Sequence, residues 1–211
     1  MGSNAELDAL KSNAVRQKII ESAFRVFSER AIEPVTMTEV AKAAGVGVAT
    51  VYRYFGTKDD LVLAVGTAVW GRYIGQNAIT FDETYTAMQV FEYYLDSFLE
   101  LYRNHKDILR FNQFFNVYVS GERLGAEATR GYNEMIDSLA ARFHSVYLRA
   151  ERDRTLRTDV SEAEMFSATL HLMLAVVTRY AVGLIYQHGS DPESELEMLK
   201  RMIMREYAAG E

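Results

Sequence analysis

The stretch that most restricts this chain is TMTEVAKAAGVGVATVYRYFGTK, residues 36–58. Residues 38–44 have the composition of a short helix, with Val40, Ala41 and Ala44 on one face and Thr38 as its N-cap. Gly45 breaks the pattern where a residue of positive φ would end the helix. Val46 is the apolar pin of the turn, and residues 48–55 read as a second short helix. Two short helices joined by a tight glycine turn make a helix-turn-helix. The second helix is crowded with Thr50, Tyr52, Arg53 and Tyr54, and Lys58 follows it. Such a surface suits a phosphate-lined groove, although a helical corner that meets no nucleic acid has the same bare pattern.

The flanks repeat the helical period. Across residues 15–30, Ile19, Ile20, Ala23, Phe24, Val26 and Phe27 recur at helical spacing against Arg16, Lys18, Glu21 and Arg25. Phe24 and Phe27 are expected to pack on Val40 and Val51. Pro34 stops the chain in a loop, and Thr57 caps a helix over 58–79 that has Asp59 and Asp60 in its first turn. Further helices are predicted over 82–104, 106–120, 122–155, 161–187 and 192–208. Asp82, Ser161 and Asp191 are their N-caps, and Gly121 and Gly189 their stops. No alternation of strand type and no internal repeat interrupts this all-α reading. From 165 to 185 the penultimate helix is apolar almost all round, so it is expected to be buried on several sides. In a homodimer one of those sides would be the partner subunit.

Composition narrows the chemistry. The 211 residues are half apolar and one quarter charged, with two prolines, as in a folded soluble protein. Cysteine is absent, which excludes thiolate metal sites and agrees with a cytoplasmic setting. No apolar run reaches the ~18 residues that would span a bilayer, and no signal peptide opens the chain. Residues 1–13 are expected to be a disordered tail or a cloning remnant. The net charge of −6 is uneven: residues 14–58 hold seven Lys/Arg against four Asp/Glu, and 59–211 hold fifteen against twenty-three. A basic head on an acidic body binds phosphate locally while the body is repelled from a duplex. The four histidines, His105, His144, His171 and His188, are far apart, and neither HExxH nor GxSxG occurs. No metal, no cofactor and no enzymatic activity is therefore expected.

The segment VTMTEVAKAAGVGVATVYRYFGTKDDLVLAV resembles the DNA-binding domain of the tetracycline-repressor (TetR) family of transcriptional regulators. The Thr–x–x–x–Val–Ala run, the Ala–Gly–Val turn, the Thr–x–Tyr–x–Tyr–Phe helix and Lys58 carry the likeness, which spans residues 16–65. It implies a three-helix DNA-binding domain over 14–60 and a helical ligand-binding and dimerisation domain over 61–211. With residue chemistry, it assigns phosphate contacts to Tyr52, Tyr54, Lys58 and either Thr36 or Thr38. Base-edge contacts fall to Val48 and Thr50, with Gly47 and Ala49 beside them. Arg53 reaches a guanine or a phosphate, or else pairs with Asp59 or Asp60. Gly47 departs from the family's usual serine-type cap, so the reading helix starts less firmly.

The resemblance also implies a small-molecule effector, partly apolar or aromatic, since pockets of that kind combine aromatic walls with a few polar groups. The residues assigned to it are Trp70, Tyr73, Tyr94, Phe98, Phe111, Asn112, Phe115, Asn116, His171, Thr178 and Arg179. Arg179 stands mid-helix among apolar residues and needs a carboxylate in its own subunit, one across a dimer, or an anionic ligand. Met173, Val177, Ile185, Leu196, Leu199, Met202 and Ile203 are the expected interface of a homodimer formed by the last two helices. The whole describes a ligand-responsive repressor on a palindromic operator in double-stranded DNA, with no membrane partner. The alternative is a helix-turn-helix regulator controlled by a protein partner.

Overall fold

A computed structural model describes residues 2–76, 80–120, 124–186, 188–189 and 191–210. Those residues form nine α-helices: α1 (Gly2–Glu29), α2 (Met37–Ala44), α3 (Val48–Tyr54), α4 (Lys58–Gln76), α5 (Ala87–Asn104), α6 (Lys106–Val119), α7 (Ala126–Asp153), α8 (Glu162–Ala181) and α9 (Pro192–Tyr207). No strand occurs among them, and a lone bridge between Leu156 and Ala208 ties down the C-terminal residues. No described helix is long and apolar enough to cross a membrane. The chain divides into two compact units, Met1–Arg72 with Phe111–Asn133, and Tyr73–Arg110 with Glu134–Glu211. The division falls inside α4, α6 and α7 rather than at residue 60.

Local hydrogen bonding explains where the helices start. Thr36, not Thr38, is the N-cap of α2: its backbone is extended, its hydroxyl accepts from the Glu39 amide, and the Glu39 carboxylate accepts from the Thr36 amide. That Thr–x–x–Glu box satisfies two otherwise orphaned donors, and Thr38 lies two residues too far in to do so. The Thr36 amide, with Arg30 and the Thr36 hydroxyl, holds the Glu39 carboxyl down at about pKa 2. Thr57 and Asp60 form the same reciprocal pair at the start of α4. Ser161 and Asp191 cap α8 and α9 as expected. Asp82 caps no helix: it closes a turn with Thr84, and the box Thr86–Gln89 starts α5. The α8 helix ends at Ala181, because Gly183 takes φ 80° and turns the chain well before Gly189. Gly121, the other expected stop, lies outside the described residues.

The core of the first unit joins Ile19, Ile20, Ala23 and Phe27 of α1 to Val40, Ala41, Val51 and Phe55. Leu61, Val62 and Val65 of α4, with Phe111, Phe115 and Tyr118 of α6, complete it. Phe24 is only partly buried, and its ring meets Phe111 edge-on with centroids 5.6 Å apart. Residues 2–13, expected to be a tail, are the first turns of α1. Gly66 is required by its neighbour, since a Cβ there would lie 2.8 Å from the Phe115 ring.

In the second unit α5 packs on α8 and α9, and Phe91, Leu95, Phe98, Met173, Val177 and Leu196 of these helices are buried. Lys200 of α9 is buried and lies 2.9 Å from Glu92 and 2.6 Å from Asp96 of α5. Burial opposes its charge, but the two carboxylates outweigh that cost and raise its pKa. In the single subunit α8 has an open side on which Ala168, His171, Leu172, Ala175 and Arg179 are exposed.

Two stability predictions follow from these contacts. Gly66→Ala should destabilise the protein by about 1–3 kcal/mol through overpacking, and Phe115→Leu in the same chain should recover part of that loss in urea denaturation. Glu39 has its folded pKa below the ordinary 4.5, so its contribution is complete above about pH 4.5 and is lost as pH falls towards about 2. Glu39→Gln should flatten that part of the stability–pH curve, and carboxyl NMR titration should find Glu39 still ionised at pH 3.

Candidate functional sites

The α2–α3 turn presents the first candidate surface. Gly45 adopts φ 62° and ψ 39°, its amide donates to the Lys42 carbonyl at 3.1 Å, and the Val46 amide donates to the Ala41 carbonyl at 3.0 Å. This paired closure satisfies the last carbonyls of α2 and sends the chain sharply into α3, and a side chain at Gly45 would strain the left-handed backbone. Gly47 is the N-cap of α3 and supplies no side-chain cap, so the expected weak start is present.

Helix α3 buries Val51 and turns Val48, Ala49, Tyr52 and Arg53 outward, with Thr50 and Tyr54 half-buried. Thr36 and Thr38 are exposed on α2 and its cap. Tyr52 is 52% exposed, a large aromatic surface for a side chain on a seven-residue helix. Arg53 does not pair with Asp59 or Asp60; its guanidinium lies 5.2 Å from the centre of the Tyr54 ring. The Tyr54 hydroxyl is 3.1 Å from that of Ser12, a contact hidden from sequence reasoning by the assumption that residue 12 belongs to a tail. Lys58 donates to the Glu33 carbonyl at 2.7 Å and lies 5.3 Å from the centre of the Tyr118 ring. The Tyr118 hydroxyl in turn donates to Asp59 at 2.5 Å.

The second candidate is a cavity of about 500 Å³ in the second unit. Helix α5 contributes Val90, Tyr93, Tyr94 and Ser97, which share one helical face. Helix α7 contributes Leu139, Arg142, Phe143, Val146 and Arg149 at the same spacing, with Ser145 beside them. Tyr73, Ile74, Thr80 and Phe81 complete the wall. The Tyr73 hydroxyl donates to the Ser97 carbonyl at 2.8 Å, and burial raises the pKa of both Tyr73 and Tyr94. Arg149 donates to the carbonyls of Phe81, Asp82 and Tyr85 and so clamps residues 81–85 to α7.

Of the residues assigned to an effector from sequence, Tyr73 and Tyr94 line this cavity. Phe98 is buried behind it, edge-on to Tyr94 at 5.4 Å. Phe111 and Phe115 belong to the core of the first unit, Asn112 is buried on the same helix, and Asn116 is on the surface. Trp70 is buried, and it falls in the first unit. Thr178 is buried on α8 away from the lining, whereas His171 and Arg179 are exposed. In the single subunit the side of α8 that carries Arg179 is uncovered. Sequence reasoning missed Arg142 and Arg149. The available signal was their spacing of seven on a helix stripe shared with Leu139, Phe143 and Val146, a cationic interruption of an apolar face. No group of three His, Cys, Asp or Glu able to hold a metal occurs among the described residues.

Residues 19–65 match the model of the bacterial regulatory proteins of the tetR family. An HTH-type transcriptional regulator of Staphylococcus aureus is 32% identical over 94 residues, which are 44% of this chain and 51% of that protein. The chain thus spans about half the length of the curated relatives it matches. A tetR-family regulatory protein from Rhodococcus RHA1 superposes with TM-score 0.70 at 14% identity, covering 93% of this chain and 98% of its own. FadR from Bacillus subtilis in complex with stearoyl-CoA superposes with TM-score 0.67 at 15% identity, covering 89% and 97%. At these identities the structural likenesses carry the fold, and the sequence match is confined to the N-terminal part of the chain. Residues 19–65 of this chain are thus similar to the bacterial regulatory proteins of the tetR family, and the fold likeness extends over the greater part of the chain.

Proposed function

We propose that the protein is a ligand-responsive, sequence-specific DNA-binding transcriptional repressor that acts as a homodimer. The observation that carries this reading is the outward face of α3, where Val48, Ala49, Tyr52 and Arg53 are exposed beyond a turn that fixes the direction of the helix. A seven-residue helix that buries only Val51 contributes little to a core, and its donors suit a groove between phosphates. Tyr52, Tyr54, Lys58, Thr36 and Thr38 would hold the backbone. Thr50 and Val48 would meet base edges, with valine restricted to a thymine methyl. Gly47 and Ala49 would let the backbone approach closely. Arg53, braced on Tyr54, would reach a guanine or a phosphate.

One such helix reads few bases, so two copies would bind half-sites one turn of DNA apart, ~34–36 Å. The surface that suits pairing is the open side of α8 and α9, with Leu172, Ala175, Met198 and Met202 exposed. Met173, Val177, Leu196 and Ile203 fill the subunit's own core and are unavailable for pairing. Ile185 and Met202 are exposed, and Leu199 is half-buried. The cavity would receive the effector. Tyr73 and Ile74 belong to both its wall and the last turn of α4, so a ligand there would act on the helix that begins at Lys58.

Tyr52→Phe and Lys58→Ala should weaken binding to all duplexes about equally. Loss of the Lys58 cation should reduce the slope of log affinity against log salt by about one unit. An unchanged affinity and slope for Lys58→Ala would remove its phosphate role. Leu172→Glu combined with Met202→Glu should give a helical monomer in sedimentation that no longer binds a two-half-site operator. Persistence of the dimer would move the interface elsewhere.

A further inference from the structure

We infer that the cavity in the second unit selects an amphipathic anion, with Arg142 taking the anionic head at the mouth and the aromatic wall taking an apolar body. This deepens the effector reading above and rests on it for the regulatory consequence, but not for binding itself. Three observations carry it. The first is charge: among the described residues the charged ones lining the cavity are Arg142 and Arg149, and no carboxylate lines it. The second is that the two arginines are differently engaged. Arg149 is occupied by three carbonyls, with Asp82 and Asp153 in its field. Arg142 donates one bond, from Nη1 to the Ile74 carbonyl at 2.8 Å, and has no carboxylate partner among the described residues. Its other N–H groups remain for a ligand, and a guanidinium presents them in a planar fork that matches a carboxylate or a phosphate. The residue is exposed, which places the head at the opening and leaves the desolvation cost low.

The third observation lies further in. The Tyr94 hydroxyl is buried and finds no hydrogen-bond partner among the described residues, although Tyr94 lines the cavity. A buried hydroxyl left unmatched is costly, so a ligand that reaches it with a polar atom gains a hydrogen bond the empty protein lacks. Around it Val90, Leu139, Phe143 and Val146 present apolar surface. The volume of about 500 Å³ lies in the range that holds a drug-sized ligand. A neutral apolar ligand would leave the Arg142 charge unused, and a cation would be repelled by it.

The test is calorimetric titration of the full chain with decanoate, decyl phosphate, decanol and decyltrimethylammonium, each below its micellar concentration, and with 2-naphthoate as an aromatic body. At least one anion should bind, with decanol at least about tenfold weaker and the cation undetectable, and the preferred anion distinguishes a carboxylate from a phosphate head. Arg142→Gln should reduce anion affinity about tenfold or more and leave decanol unchanged; Arg142→Lys should restore part of it. Because Arg142 is exposed, the variant should keep its helicity and melting temperature, and both are measured alongside. Tyr94→Phe should lower the affinity of a probe that bears an inner hydroxyl, 10-hydroxydecanoate, and leave decanoate unchanged. Equal binding of decanoate and decanol, an Arg142→Gln variant that binds anions as the parent does, or no binding of any probe at 1 mM (a concentration of about the weakest useful affinity) would each overturn the inference. Operator release is read separately. An anion that binds through Arg142 without releasing DNA supports the site and removes the effector role; release by decanol that is indifferent to Arg142→Gln keeps the effector role and overturns the anion site.

Discussion

The left-handed turn at Gly45 is the constraint on which the N-terminal surface depends. Its two backbone bonds close α2 within a single residue of positive φ, so α3 leaves at a fixed direction and can bury one side chain, Val51, while offering the rest outward. The capping box at Thr36 and the reciprocal pair at Thr57 bracket that arrangement from either end. Each of these devices supplies about 1 kcal/mol to the stability of a short helix. Their larger effect is positional, because helices of seven and eight residues have too few internal bonds to hold their own ends.

Helix α3 itself has no side-chain cap, since Gly47 stands at that position. Its rigidity comes from Val51 and Phe55 beneath it and from the contacts of Tyr54 and Lys58 with distant parts of the same unit. The free protein thus already directs Lys58 and Tyr54 into hydrogen bonds, with Glu33 and Ser12 respectively. On the DNA-binding role proposed for them, a phosphate at either site would share or displace these partners, and both side chains would start from an ordered position, which lowers the entropic cost of binding.

In the second unit the same helical period that builds the core also builds the cavity. On α5 the residues Phe91, Leu95 and Phe98 are buried, and the adjoining face with Val90, Tyr94 and Ser97 meets open volume instead. On α7 an apolar stripe is interrupted by two arginines that differ in duty. Arg149 holds a loop through its carbonyls, and Arg142 keeps donors free at the mouth. Chemistry that looks uniform along a helix is divided by what lies opposite each residue.

That division marks what the residues alone could reveal. The helices, most of their caps and the helix-turn-helix were legible because their signals are local: an oxygen three residues before an amide, a glycine after a periodic run, apolar residues at steps of three and four. The Thr36 box was legible too, as Thr–x–x–Glu, and Thr38 displaced it only because two threonines stand two residues apart. The membership of the cavity was not legible. Phe111, Phe115, Tyr73 and Tyr94 are the same kind of residue in sequence, and only the tertiary structure put the first two into a core and the last two along a wall. Arg179 and Arg142 were equally ambiguous, each a cation on an apolar helix. Long-range packing left Arg179 on the open side of α8 and Arg142 at the cavity, because the partner of a helix face is chosen by residues tens of positions away and leaves no trace in the helix's own period.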